Sequence, residues 1–223
     1  YIIPEFRTFI AEKKIIVQEQ DSNNTETLAS SSLYDNEIVF QFYHSSSNAP
    51  APGKGSGEKI PEQSRLKFAK LASIQGWRRS LSNFHIAAFE LDSHRWNSVE
   101  HYYQASKFKE NHPEFYASFS LDMNPEDELS KDPAMAKAAG SKNGKFKDKI
   151  IRPNDVTIDP NFFNGRHEQE MKAAQRAKFT QNKELKELLL ATRDAKLVHF
   201  TRGCPPSVYV GLMEVRKDLA RTK

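Results

Sequence analysis

The sequence predicts a mainly α fold of the α+β class, a compact single helical domain with a few short strands. Three observations support this prediction. Apolar side chains recur at helical spacing through the C-terminal part of the chain. Strand-like alternation is confined to short stretches. The 223 residues, 38% of them hydrophobic, are enough to bury one sizeable core.

Composition excludes several classes of protein. No run approaches the roughly 18 consecutive apolar residues that a membrane-spanning helix needs. The segment Tyr1–Lys14 lacks the basic-then-apolar order of a secretory signal. The single cysteine, Cys204, can form neither an internal disulfide nor a cysteine-rich zinc site. We therefore expect a soluble protein of the cytoplasm that has no membrane partner.

Basic residues are concentrated toward the C-terminus. The whole sequence has 33 Lys and Arg against 29 Asp and Glu, a net charge of +4. Residues 131–223 contain 20 basic and 11 acidic side chains, whereas residues 1–40 contain 3 and 7. A half this basic favours a phosphate-bearing ligand or nucleic acid. Solvated helix faces would explain the same charge, so the pattern alone leaves both interpretations open.

Two zones are predicted along the chain. Residues 1–37 form an N-terminal extension that passes into a polar linker rich in Ser, Asn and Thr. Residues 38–223 form the domain, which is interrupted at about 44–76 by an insertion rich in Gly, Pro and Ser. We expect residues 44–65 of this insertion to be a loop.

The first elements of the domain follow from alternation and turn signals. Glu37–Tyr43 is expected to be a strand, since Ile38, Phe40 and Phe42 fall on one face. A short strand should precede a turn at Asp92–His94. A helix is expected to open at Asn97 and to run to about Asn111, just ahead of a proline.

Four more helices are predicted toward the C-terminus. A short one begins at Asp132 and stops at Gly140, with an acceptor cap, an early proline and a final glycine. Longer helices cover 167–182 and 183–192, and a last one begins at Pro206. The 167–182 helix carries Met171, Ala174, Ala177 and Lys178 at helical spacing. The apolar stripe of the last helix consists of Val208, Leu212, Val215 and Leu219.

The helix beginning at Asn97 carries the strongest chemical signal. Its residues at i, i+3, i+4, i+7 and i+8 share one face, namely Glu100, Tyr103, Gln104, Lys107 and Phe108. This mixture is unusual for a core stripe and suggests a pocket wall, with Glu100 as an acid, a base or a partner for a developing cation. A competing interpretation is a capping box, in which Glu100 reaches back to the amide of Asn97. The spacing alone favours the cap.

Other candidate features are weaker. Four aromatic residues, Trp77, Phe84, Phe89 and Trp96, could stack on a base or could simply fill the core. The glycine loop at 52–57 lacks the order of a phosphate-binding P-loop. A better phosphate candidate is the basic stretch of Lys137, Lys142, Lys145, Lys147, Lys149 and Arg152. The seven histidines show no metal-ligand spacing, so we predict no metal and no cofactor.

An ordered set of motifs resembles the NADAR family, the YbiA-like, riboflavin-biosynthesis-linked superfamily. The resemblance covers about residues 38–221, and its most specific block is S-V-E-H-Y-Y-Q-A-S-K-F at 98–108. The long insertion resembles an extended branch with members in large DNA viruses, for which the location would be the host cytoplasm. The other motifs are SNF at 82–84, Asp92, Trp96, M-A-K-A-A-G at 135–140, A-K-F-x-Q-N at 177–182, L-L-L-A-T at 188–192, A-K-L at 195–197 and L-M-x-V-R at 212–216.

The resemblance implies a function and a set of site residues. Its members cleave N-glycosidic bonds in phosphoribosylamino-pyrimidine intermediates of riboflavin synthesis or in ADP-ribose attached to guanine. The expected partner is thus an ADP-ribosyl or phosphoribosyl small molecule, with ADP-ribosylated nucleic acid as a further candidate. Glu100 matches the family's catalytic glutamate. The residues expected to bind substrate are Asn83, Phe84, Trp96, Tyr103, Lys107, Lys142 and Arg202.

The chain departs from the family pattern near its C-terminus. Many members carry a glycine-rich W-G-x-G-type stretch with a further Trp and an acidic group, but this chain has T-R-G-C-P-P-S-V-Y-V-G at 201–211. Arg202, Gly203 and Tyr209 are candidates to replace the missing groups. Two other hypotheses therefore stay open: a binding module for ADP-ribose or a nucleotide without turnover, and a structural subunit of a larger assembly.

Overall fold

The computed structural model describes residues 33–47 and 51–221. Most of the predicted N-terminal extension, residues 1–32, therefore lies outside the described residues. The compact unit that the structure describes begins at Leu33. Its first strand starts at Asp35, two residues before the predicted Glu37.

Helices predominate among the described residues, as predicted. The strands are β1 (Asp35–Phe42), β2 (Phe89–Leu91), β3 (His94–Trp96), β4 (Lys145–Phe146), β5 (Lys149–Ile150), β6 (Ala195–His199) and β7 (Ser207–Val208). The helices are α1 (Ala69–Ala72), α2 (Trp77–Ser80), α3 (Val99–Ala105), α4 (Pro113–Ala117), α5 (Glu128–Lys131), α6 (Pro133–Ala139), α7 (His167–Gln181), α8 (Lys183–Ala191) and α9 (Val210–Arg221). A 3-10 helix (Glu62–Phe68) and a kinked turn (Phe162–Arg166) complete the list.

A three-stranded sheet in the order β1-β6-β7 joins the two ends of the described chain. Strands β1 and β6 are parallel, with Phe40 opposite Leu197, and β7 is antiparallel to β6. The alternation predicted for β1 is confirmed, since the side chains of Ile38, Phe40 and Phe42 are buried. These side chains pack against α8 and α9 in the first of two apolar clusters.

The second apolar cluster surrounds helix α3. It combines the β2–β3 hairpin with α3, α4, α6 and α7. The predicted turn of this hairpin is confirmed, because Asp92 and Ser93 link its two strands with φ angles of 53° and 63°. Positive φ at both central positions of a two-residue turn is the geometry whose twist matches a hairpin. The hairpin and α6 both pack against α3 in this cluster.

From Glu62 onward the loop prediction for residues 44–65 is wrong, because helical turns form in this part of the insertion. The 3-10 helix at Glu62–Phe68 and α1 lie within it, and the buried side chains of Phe68 and Leu71 anchor them in the first cluster. In the first half, Lys59 pairs with Val39 on the outer edge of β1 through two backbone hydrogen bonds of 2.9 and 3.0 Å. The insertion is therefore part of the packed domain.

Boundaries of the predicted helices differ in two places. Helix α3 ends at Ala105 rather than near Asn111. Helix α9 begins at Val210 rather than at Pro206, because Ser207 and Val208 pair with β6 as strand β7. The helices predicted at 132–140, 167–182 and 183–192 are confirmed within one residue. No helix in the described ranges is long and apolar enough to cross a membrane.

Candidate functional site

Helix α3 begins at a different cap from the predicted one, and this decides the role open to Glu100. The N-cap is Ser98, whose hydroxyl accepts from the amide of His101. The Asn97 side chain instead donates to the backbone oxygen of Lys131 at 3.1 Å. The capping-box interpretation of Glu100 is therefore wrong, and its carboxylate does not cap the helix.

The Glu100 carboxylate is buried with few partners. Only 7% of the residue is exposed, and Oε1 accepts one hydrogen bond, from Nε2 of Gln104 at 2.8 Å. The other carboxylate oxygen accepts none from the described residues. Burial raises the pKa of the Glu100 carboxyl, whereas the Gln104 hydrogen bond and the charges of Lys137 and Lys107 oppose that rise. An oxygen without a protein donor is suited to a substrate hydroxyl or an attacking water.

Gly140 brings the end of α6 against the Gln104 side chain, whose amide donates to this carboxylate. A Cβ at Gly140 would lie 2.0 Å from Oε1 of Gln104, so no larger residue fits without moving the amide that holds Glu100. Its φ of −82° is ordinary, so the glycine serves close approach rather than a left-handed turn. The carbonyl of Gly140 also accepts from Nζ of Lys107 at 2.7 Å. One residue thus places both side chains.

Asn83 ties the loop after α2 to the same site. Its backbone oxygen accepts from the amide of Glu100 at 3.1 Å, at the start of α3. Its side-chain amide donates to the hydroxyl of Tyr209 at 2.7 Å. Burial raises the pKa of the Tyr209 phenol, and the nearby Glu100 and Tyr103 raise it further. The phenol therefore stays protonated and can donate a hydrogen bond near Glu100.

An aromatic and cationic wall lies beside the carboxylate. The ring of Phe84 stacks on His44 with centroids 5.1 Å apart, and Nζ of Lys137 lies 5.4 Å from the Phe84 centroid. Lys137 also influences the pKa values of Glu100 and His199. This arrangement brings part of the insertion and α6 to the Phe84 ring.

A basic cleft of about 580 Å³ opens on one side of α3. Lys107, Lys142 and Arg152 line it, together with Phe163 and the turn after α6. The Arg152 guanidinium donates to the carbonyls of Ala139, Ser141 and Lys142. No carboxylate in the described part of the chain forms an ion pair with any of the three cations. Burial lowers the pKa of Lys107 to about 8, an effect that the Glu100 charge partly offsets.

Tyr103 forms part of the lining of a second cleft, of about 880 Å³. Helix α7 and the segment Ser207–Leu212 form its walls, and Tyr209 and Gln175 lie in its lining. Gln175 reaches Oδ1 of Asn83 at 3.4 Å. Tyr103 lines this second cleft and lies about one turn of helix away from Glu100.

Two of the predicted binding residues do not reach this site. Trp96 is completely buried, packs against Tyr102 and Tyr116, and donates to the carbonyl of Leu91. It is therefore a core residue of this structure, and its assignment as a binding residue stays a prediction. Arg202 is exposed in the turn between β6 and β7, outside the linings of the two clefts.

The other predicted residues are brought together. Tyr103 and Lys107 lie close to each other, with Nζ of Lys107 5.5 Å from the centroid of the Tyr103 ring, and the charge of Lys107 acts on Glu100. Asn83 accepts from the amide of Glu100, Phe84 follows Asn83, and Lys142 lies in the basic cleft. Phe108, predicted on the same face, belongs to the core instead. Their assignment as catalytic and binding residues stays a prediction.

Sequence reasoning missed three contributors. Gln175 gave no signal, since it sits within an ordinary helical pattern. Tyr209 is a candidate from the sequence only as a replacement for the missing family motif. Its hydrogen bond to Asn83 joins residues 126 positions apart, which no local pattern indicates. Lys137 was one of a basic stretch, and nothing in its spacing showed that it faces Glu100. Among the described residues, no three His, Cys, Asp or Glu side chains are grouped to hold a metal ion. That the site needs no metal stays a prediction.

Comparison with known proteins identifies the family to which this chain belongs. Residues 74–203 match the NADAR domain family, and the chain belongs to that family. It is 33% identical to N-glycosidase YbiA of Escherichia coli (strain K12) over 156 residues, which are 64% of this chain and 82% of the relative. The same values hold for N-glycosidase YbiA of Shigella flexneri. The family membership and this sequence similarity support a glycosidase-type function.

A solved structure is also similar. The NMR structure of the E. coli protein YbiA aligns with 82% of this chain and 86% of its own, at 24% identity and a TM-score of 0.45.

Proposed function

We propose that this protein hydrolyses the N-glycosidic bond of a phosphorylated riboside. The candidate substrates are ADP-ribosyl-guanine and a phosphoribosylamino-pyrimidine. The observation that carries the proposal is the Glu100 carboxylate, which is buried, has one oxygen without a protein donor, and lies near two lysines that favour its charged form. A carboxylate in these surroundings is suited to face a developing cation.

The chemistry follows from the charge that develops in the sugar. As the bond from the anomeric carbon to nitrogen breaks, its electron pair leaves with the base, and the sugar gains oxocarbenium character. The Glu100 carboxylate stabilises that charge and takes a proton from the water that adds to the anomeric carbon. The departing nitrogen takes a proton from a nearby donor. Gln104 holds the carboxylate in place through its 2.8 Å hydrogen bond.

The basic cleft supports the phosphorylated substrate class. Lys107 lies seven residues after Glu100, just beyond the C-terminal end of α3, and also lines the cleft. Its ammonium and that of Lys142 have no carboxylate partner among the described residues, so their charge is available to an anion. A phosphate on the ribose would then lie in the cleft while the anomeric carbon faces Glu100.

The direct test is turnover of defined N-glycosides by the full chain. ADP-ribosylated guanosine and a phosphoribosylamino-pyrimidine would each be incubated with wild type and Glu100→Gln, and the released base measured by chromatography. We expect the wild type to release base from one of them and Glu100→Gln to be at least about 100-fold slower. Equal rates for both proteins would remove Glu100 from the mechanism.

Calorimetric titration separates the two substrate classes. Binding of ADP-ribose in the micromolar range, about −8 kcal/mol, would favour the ADP-ribosyl substrate. Preference for ribose 5-phosphate would favour the pyrimidine intermediate. Absence of heat with both ligands, together with absence of turnover, would contradict the proposal.

Nucleic acid as the carrier of the modified base is part of the same proposal. Lys145, Lys147 and Lys149 are exposed on the β4–β5 hairpin, which follows directly on the turn that lines the basic cleft. A backbone of phosphates could follow this surface. Faster turnover on an ADP-ribosylated oligonucleotide than on the nucleoside would support it, and equal rates would restrict the substrate to small molecules. A cytoplasmic location belongs to this proposal as well.

A binding module without turnover is the second candidate. The observation that favours it is the segment at 201–211, which lacks the Trp and the acidic group of the family pattern. Tyr209, from this segment, contributes a phenol to the site instead. Micromolar binding of ADP-ribose without release of any base over hours would favour this candidate. The role of a structural subunit stays a hypothesis, since it draws on residues 1–37.

A further inference from the structure

Lys178 is a lysine in the core of the protein. It lies on α7, is 0% exposed, and takes a place on the face that packs inward. No carboxylate among the described residues is within ion-pair distance of its ammonium. Burying an unpaired ammonium is costly, and burial lowers the pKa of Lys178 to about 7. An apolar residue of the same length would fill this space without that cost.

The ammonium of Lys178 holds two carbonyls of one short segment. It donates to the backbone oxygen of Ser80 at 2.8 Å and to that of Ser82 at 2.9 Å. A lysine nitrogen has at least two N–H groups whether it is charged or neutral, so both bonds persist across the physiological pH range. Without this donor, the buried carbonyl of Ser80 would have no partner among the described residues, and that of Ser82 would keep only the amide of His85 at 3.2 Å.

The clamped segment leads directly into the site. Asn83 follows Ser82, and its backbone oxygen accepts from the amide of Glu100. The side chain of Asn83 donates to Tyr209, which arrives from the far end of the chain. A shift of the segment would therefore move the first turn of α3 and the tyrosine together.

We propose that Lys178 is a positioning residue for the Glu100 site, acting through Ser80, Ser82 and Asn83. Its effect on rate rests on the proposed function, but its effect on geometry does not. A residue that merely fills the core would stabilise the fold without a particular effect on Glu100. The test must therefore measure the site separately from the fold.

The first measurement is amide hydrogen exchange in Lys178→Met, in which the side chain keeps its length but has no donor. We expect the Glu100 amide to exchange about tenfold faster relative to amides of α8, which lie outside the Ser80–Asn83 segment through which Lys178 is connected to Glu100. Arg176→Met is the matched control, since Arg176 lies on the same helix but is exposed and pairs with Asp218 at the surface. The control should leave the Glu100 amide unchanged.

The second measurement is turnover of the N-glycoside that the wild type cleaves. For Lys178→Met we expect kcat to fall about 10- to 100-fold while KM stays within about threefold, because misplaced groups lose rate rather than affinity. Exchange and kcat both equal to wild type would overturn the proposal. If the wild type cleaves no N-glycoside, the proposed function fails, but the exchange experiment still decides the positioning role.

A second variant covers the case in which Lys178→Met does not fold. Lys178→Gln keeps a shorter donor, and we expect it to fold with a smaller rise in Glu100 exchange. Uniformly faster exchange over the whole domain, or failure of both variants to fold, would show that Lys178 supports the fold in general, and the proposal would be wrong.

Discussion

Two buried glutamates, Glu58 and Glu100, lie in opposite surroundings. The side chain of Glu58 is fully buried and accepts five hydrogen bonds. Two come from the Arg78 guanidinium at 2.7 Å, and three come from backbone amides of Gln41, Gly53 and Gly55. Glu100 accepts one, from Gln104.

The difference shows how one residue type can serve structure or chemistry. The charge of Glu58 is matched by a guanidinium, and its donors fold the insertion around it. The charge of Glu100 is met by one neutral amide and two lysines at longer range, so burial dominates and raises its pKa. A carboxylate kept short of partners costs stability and stays available to a ligand.

The largest expected effect is the loss of turnover in Glu100→Gln. We expect about a 1,000-fold decrease, or about 4 kcal/mol in the barrier. We expect the free energy of unfolding to increase in the same variant. A carboxyl whose pKa is raised in the folded protein stabilises the fold at low pH and loses that contribution as the pH rises through the folded pKa. The neutral amide removes the cost at neutral pH, and we expect a gain of about 0.5–2 kcal/mol in thermal or denaturant unfolding.

The matching change, Glu58→Gln, should act on stability alone. Its amide would face the Arg78 guanidinium and two glycine amides as a competing donor, and the guanidinium would be left without a counter-charge. We expect a loss of about 3 kcal/mol in the free energy of unfolding, measured with denaturant. The fraction that remains folded should keep the wild-type rate. Equal effects of the two variants on rate would erase the contrast between the two glutamates.

Two glycines sharpen the same contrast. Gly140→Ala places a Cβ 2.0 Å from Oε1 of Gln104, whereas Gly55→Ala places one 2.8 Å from the carboxyl carbon of Glu58. We expect the first to lower kcat about 10- to 100-fold by displacing the amide that holds Glu100. The second should lower stability by about 1–3 kcal/mol through overpacking and should leave kcat unchanged. Steady-state kinetics and thermal melts of both variants test this pair.

The smallest expected effect is a pH dependence at the basic cleft. Lys107 is charged below its pKa of about 8 and loses its charge above it. Affinity for ribose 5-phosphate should therefore weaken about tenfold between roughly pH 7 and pH 9.5, as measured by calorimetry. In Lys107→Gln the affinity should already be low at neutral pH and should vary less. An undiminished wild-type affinity at the higher pH would exclude this ammonium from phosphate binding.

Local sequence rules predicted the elements whose signals lie within themselves. The alternation of Ile38, Phe40 and Phe42 identified β1, and the cap and proline at Asp132 identified α6, whose N-cap accepts from the amide of Ala134. In both cases the signal and the structure lie within a few residues.

The errors fall where a contact across the chain decides the outcome. Asn97 and Ser98 are both good N-caps, and the choice of Ser98 follows from the bonds of Asn97 to Lys131 and of the Glu100 amide to Asn83. The indole of Trp96 donates across the hairpin to the carbonyl of Leu91, a contact that no local pattern indicates. The helical turns that begin at Glu62 were likewise not predicted, because the Gly and Pro residues before them favour a loop.

The pairing of Lys59 with Val39 has a consequence for the behaviour of the protein in solution. Strand β1 is bonded to β6 on one side, and the insertion covers part of its other side. An uncovered strand edge of this length, with alternating large apolar side chains, is a template for pairing between molecules. A chain shortened by removal of the insertion would therefore expose that edge, and its characteristic failure would be self-association through β1.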